Sequence, residues 1–130
     1  MKLNGIRYKH RDNDFNLSGI QLCFTNGYRT PMFESDETKE SAQDNKLIKI
    51  DPEKNIAAIA MKVDRDDWLR GLKLISDEQE VLCDVTWCSY RDDGRWIWKY
   101  LEDYEQIVGI AVDKETETEY IKATWLIGSD

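Results

Sequence analysis

A chain of 130 residues is the size of one domain and long enough to bury a core without disulfide staples. Its 26 acidic against 18 basic residues leave a net charge of −8, which repels phosphate backbones and anionic lipid surfaces, so nucleic acid and membrane are not expected partners. No apolar run reaches the length of a membrane-spanning helix.

The start of the chain, Met1 to Arg7, lacks the apolar stretch of a signal peptide. The cysteines, Cys23, Cys83 and Cys88, form no Cys-x-x-Cys pair and are odd in number. Both features predict a cytoplasmic chain without a disulfide framework.

Strand signals dominate from there. Ile20, Leu22 and Phe24 alternate with Gln21, Cys23 and Thr25, and Asn26-Gly27 follows as a type I′ hairpin signal, with Tyr28 to Phe33 as the returning strand. Glu34 to Asn45 is a polar, mostly acidic run that reads as a loop. Lys46 to Ile50 is a short strand ended by Asp51-Pro52, and Ile59, Met61 and Val63 alternate again. Trp68, Leu69 and Leu72 share helical spacing, but Gly71 inside that run argues against a helix. Leu72 and Leu74 lead into the turn Ser76-Asp77-Glu78-Gln79, after which Val81 to Trp87, Trp96 to Leu101, Ile107 to Val112 and Tyr120 to Ile127 complete the strands. Turn signals every 8–12 residues or so mark an all-β sandwich, barrel or prism.

A short repeat runs through the list. Gly19-Ile20-Gln21-Leu22, Gly71-Leu72-Lys73-Leu74 and Gly109-Ile110-Ala111-Val112 all read glycine, apolar, any residue, apolar. One hairpin cannot bury its apolar face alone, so three copies predict hairpins packed with pseudo-threefold symmetry. The segments Leu17 to Gly27, Ile56 to Val63 with Arg70 to Leu74, and Ile107 to Val112 with Ile121 to Ile127 resemble the jacalin-like lectins, whose β-prism I fold packs three four-stranded antiparallel sheets around one core. The resemblance implies a single β-prism domain over 1–130 and a carbohydrate ligand, with a β-sandwich as the alternative fold. Such lectins hold sugar through a Gly-x-x-x-Asp loop just before the last strand. The matching stretch here, Lys114-Glu115-Thr116-Glu117-Thr118-Glu119-Tyr120, carries neither residue type, so those ligand positions do not transfer.

The aromatics Trp87, Tyr90, Trp96, Trp98, Tyr100 and Tyr104 crowd one stretch. By period-two alternation Trp96, Trp98 and Tyr100 share one strand face. The bland expectation is that this face is core. If exposed, it would stack on sugar rings or anchor a protein partner, which makes Trp87, Tyr90, Trp96, Trp98 and Tyr104 the candidate ligand-binding residues. Asp12-Asn13-Asp14, Asp64-Arg65-Asp66-Asp67 and Asp92-Asp93-Gly94 are expected to be turns, because Asp and Asn cap local backbone groups. Clustered carboxylates also suit calcium, leaving Asp64, Asp66, Asp67, Asp92 and Asp93 as an alternative metal set, although no EF-hand spacing is present.

No Gly-rich phosphate loop, nucleophile elbow or zinc-type ligand spacing occurs, and His10 is the only histidine. The expected function is therefore non-catalytic recognition of a carbohydrate or a protein through loops and an aromatic-rich face. The alternatives are a structural subunit of a larger assembly or oligomer, and a calcium-dependent binding domain. A glycosidase would need two facing carboxylates in a cleft.

Overall fold

The structure, a computed structural model, describes residues 1–10, 17–35, 46–86, 94–113 and 121–129. Ten strands run through them: β1 (Leu3–His10), β2 (Leu17–Phe24), β3 (Phe33–Glu34), β4 (Lys46–Lys49), β5 (Ile56–Val63), β6 (Leu69–Ser76), β7 (Val81–Thr86), β8 (Arg95–Tyr100), β9 (Glu105–Asp113) and β10 (Lys122–Ser129). They form three antiparallel sheets of a β-prism. The first has the order β3-β2-β1-β4, the second β7-β6-β5-β8, and the third pairs β9 with β10. Each sheet is built on a central hairpin: β1–β2, β5–β6 or β9–β10.

One irregularity recurs in all three hairpins. The pairing slips by one residue between Leu3 and Gly5, between Ile56 and Ala58, and between Ile107 and Gly109. Asn4, Ala57 and Val108 are thus the extra residues of three equivalent β-bulges. A bulge flips the alternation, so apolar residues on either side of it both face inward. That is why Leu3 and Ile6, Ile56 and Ile59, and Ile107 and Ile110 lie three apart rather than two. Ile6, Ile59 and Ile110 occupy equivalent positions and are all buried in one core cluster. Their cross-strand partners are Leu22, Leu74 and Trp125. Ile20 and Leu72 fill the next layer, with the smaller Ala123 at the third position.

This register corrects the sequence repeat. Gly19 and Gly71 are equivalent, opposite Lys9 and Lys62 on the second strands of their hairpins. Gly109 lies on the first strand of its hairpin and matches Gly5 and Ala58 instead. The threefold repeat is real, but its common element is the bulge, not the glycine-led tetrapeptide.

The turns repeat as well. In Phe24–Tyr28 the Gly27 N–H donates to Phe24 O and the Phe24 N–H to Tyr28 O, with φ of +85° at Gly27. Ser76–Glu80 repeats both bonds around Gln79, and Asp64–Trp68 repeats them around Asp67, both at left-handed φ. Each is a three-residue loop ending in one left-handed residue, the type I turn with a bulge. Asn26-Gly27 therefore makes this turn rather than the type I′ turn, which needs two left-handed residues. Beyond it the returning chain bridges Arg29 with Cys23, and the Thr30 N–H donates to Leu22 O while the Leu22 N–H donates to Thr30 Oγ1, before β3 begins, a shorter ladder than the sequence suggests.

Two measurements follow from the backbone. A Cβ on Gly71 would lie 2.7 Å from the Val85 carbonyl oxygen, whereas one on Gly5 meets nothing closer than 3.4 Å. Gly71→Ala is expected to cost about 1–3 kcal/mol and Gly5→Ala less, read as thermal midpoints by circular dichroism. Gln79→Gly removes a non-glycine residue from the left-handed region and should raise stability by about 0.5–1 kcal/mol.

Candidate functional site

The outer face of the second sheet carries the aromatic row. The β5–β8 register sets Trp96 opposite Lys62, Trp98 opposite Ala60 and Tyr100 opposite Ala58. One strand further, Lys62 faces Gly71 and Ala60 faces Lys73 on β6. Small residues on β5 and β6 thus sit beside large rings on β8. The Trp96 ring reaches across β5, its Cη2 lying 3.2 Å from where a Gly71 Cβ would be. Lys62 beneath it is only 4% exposed, and Ala60 is fully buried although it points away from the prism core.

Two cations fix Trp96. Lys73 Nζ lies 4.5 Å from the ring centroid and Lys62 Nζ 5.9 Å, both within cation–π range. Trp98 follows at 6.4 Å from Trp96, and Tyr100 at 6.5 Å from Trp98 with the ring planes 14° apart. Exposure rises along the row: Trp96 is half-buried, Trp98 is 42% and Tyr100 75% exposed. The expectation that this face is core is therefore wrong. The prism core takes the opposite face, Ile59, Met61, Leu72 and Leu74. The sequence also gives no hint of a lysine cluster, because Lys62 and Lys73 come together only through strand pairing. Alternating small residues at Ala58, Ala60 and Gly71 were the available signal.

Tyr104 lies in the turn after β8 and is exposed, beyond the end of the ring row. Trp87 and Tyr90 lie outside the described residues.

The first Asp-rich loop within the described residues behaves as a turn. Asp64 Oδ1 accepts from the N–H groups of Asp66 and Trp68 at 2.9 and 3.0 Å, and Asp64 Oδ2 lies 3.7 Å from Arg70 Nε. Asp67 pairs with Arg95 of β8. Trp68, at the end of this loop, takes Lys122 Nζ 4.8 Å over its ring, and Leu69 N–H donates to Ile121 O, tying the second hairpin to the third. Among the described residues no group of three or more His, Cys, Asp or Glu side chains converges as a metal site. Asp92, Asp93 and the Asp12-Asn13-Asp14 segment lie outside the described residues.

At the other end of β5 and β9 a groove of about 350 Å³ is lined by Leu3, Ile56, Leu101 and Ile107, with Lys54, Asp77 and Glu105 at its polar margin. Two of its acids are engaged locally: Glu105 Oε1 accepts from the Glu102 N–H at 3.0 Å, and Asp77 Oδ2 from Asn55 Nδ2 at 3.3 Å. Cys83 is buried against the core, and burial, reinforced by Asp84, pushes its thiol up to about 12, the state of a structural rather than a nucleophilic cysteine.

No protein-family model matches the chain, and no curated protein matches it in sequence. Solved structures do match in fold. Artocarpin in complex with mannopentose superposes with a TM-score of 0.62 at 12% identity, over 97% of this chain and 84% of artocarpin. Frutapin, a lectin from Artocarpus incisa, gives 0.64 at 12% identity over 96% and 83%. The lectin MPA complexed with T-antigen disaccharide gives 0.64 at 14% identity over 96% and 92%. The chain has the β-prism fold of the jacalin-like lectins.

Proposed function

We propose that the protein is a non-catalytic carbohydrate-recognition domain whose ligand stacks on the outer face of the second sheet. The observation that carries this reading is the exposed row Trp96–Trp98–Tyr100. Large aromatic rings are normally withdrawn from water, and an exposed row of them on a soluble β-sheet presents flat apolar surface with polar groups at its rim. Sugar rings have the matching character, with apolar C–H faces and hydroxyl edges. Lys73 and Asp84 lie two and three strands along the same cross-strand row as Trp98 and supply a hydrogen-bond donor and an acceptor on the same face of the sheet.

The lectin fold supports a carbohydrate ligand in general, and mannose-type and T-antigen saccharides are bound by its structural neighbours. The aromatic face belongs to the second sheet alone of the two four-stranded sheets. Its structural equivalent in the first sheet, β4, carries Lys46, Leu47, Ile48 and Lys49 and no aromatic residue. Trp96, clamped by two lysines, orders the row, and the more exposed Trp98 and Tyr100 make the contact.

Screening the protein against a glycan array, with and without calcium, should give saccharide binding that quenches or shifts tryptophan emission. Trp98→Ala is expected to weaken it about tenfold or more, equivalent to ~1.4 kcal/mol, with the circular dichroism spectrum unchanged. An array with no hits in either condition, or binding untouched by both Trp98→Ala and Tyr100→Ala, contradicts the assignment.

A further inference from the structure

We infer that the saccharide recognised by the second sheet is an acidic one, whose anionic group meets the ammonium of Lys73 while a sugar ring stacks on Trp98. This rests on the reading of the face as the sugar site and names the class of sugar.

Lys73 stands in the row of Trp98, with Ala60 between them, and its ammonium leans 4.5 Å over the ring of Trp96 in the next row. An aromatic ring attracts an ammonium without neutralising it. The acid best placed to neutralise it, Asp84, lies directly opposite on β7. Its Oδ1 instead accepts from Thr86 Oγ1 at 2.8 Å. Among the described residues no carboxylate lies within ion-pair distance of Lys73, which is half-buried beside the rings.

The first sheet shows the contrast. Lys9, the equivalent of Lys62, reaches past Gly19 to Glu34 and pairs with its Oε2 at 2.7 Å. In the second sheet Thr86 stands opposite Gly71 where Glu34 stands opposite Gly19. That place carries no charge, and Lys62 and Lys73 meet at the Trp96 ring instead. A chain of net charge −8 thus gathers two cations beside one aromatic row, with Asp84 on the far side of Lys73 from the rings. A neutral sugar would use Lys73 only as a hydrogen-bond donor. An anionic sugar also gains the charge, and hydrogen bonds between ionised partners are roughly twice as strong as neutral ones.

The test is a glycan array of matched backbones, each present in a neutral form, with a uronic or sialic carboxylate, and with sulfate esters, followed by titration calorimetry on the hits. At low ionic strength at least one acidic form should bind roughly fivefold or more tighter than its neutral parent, and added salt should narrow the gap. Which acidic arm responds identifies the anion. Lys73→Met keeps the apolar stem and removes the charge, so the preference should shrink to less than about twofold. Lys73→Arg should retain it. Neutral and acidic forms binding equally overturn the inference and leave the sugar site standing, as does an acid preference that survives Lys73→Met. An array without hits overturns both.

Discussion

Everything in this molecule depends on three hairpins closing their apolar faces on one another. None of them is stable alone, because a two-stranded hairpin leaves one face in water. The device that makes closure possible is the bulge at Asn4, Ala57 and Val108. It turns the strand so that the residues on both sides of it point inward, and it sets Ile6, Ile59 and Ile110 at the same level of the prism. Burying each such side chain stabilises the fold by roughly 1.5–3 kcal/mol. The core is thus built from three equivalent contributions, with the third thinned by Ala123 where the others have Ile20 and Leu72.

Because the core takes the inner faces, the outer faces are free to vary, and the second sheet uses that freedom. Gly71 and the alanines of β5 leave shallow ground beside β8, and its rings settle over it. A side chain at Gly71 would collide with the Val85 carbonyl and lift Trp96, so one glycine serves both the strand packing and the placement of the ring. The lysines around Trp96 hold it by cation–π attraction, which costs little in water and becomes stronger as the ring covers them. Among the described residues no cation covers Trp98 or Tyr100.

The fold was legible in the sequence, and the site was legible in part. Ile59, Met61 and Val63, and Leu72 and Leu74, alternate cleanly and mark their strands. β1 does not: Leu3 and Ile6 are three apart because of the Asn4 bulge, and the first strand of the chain carries no period-two signal over that step. The same interruption hides that Gly109 is not equivalent to Gly19 and Gly71, since a bulge displaces the inward positions that a fixed spacing compares. For the aromatics, alternation placed Trp96, Trp98 and Tyr100 on one face. The expectation that this face is core fails because sidedness depends on which strands lie next to β8, which alternation does not show. The Lys62–Trp96–Lys73 grouping joins a hairpin, β5–β6, to the later strand β8 and exists only in the folded register.

The most direct check on the common core is urea unfolding of Ile6→Val, Ile59→Val and Ile110→Val. If three equivalent hairpins share one interior, each change removes one methylene from the same layer and costs about 0.5–1.5 kcal/mol, with a single cooperative transition in every case. If Ile110→Val is silent while the other two destabilise, or if any variant unfolds in two steps, the third hairpin is not part of a common core, and the account of the prism is wrong.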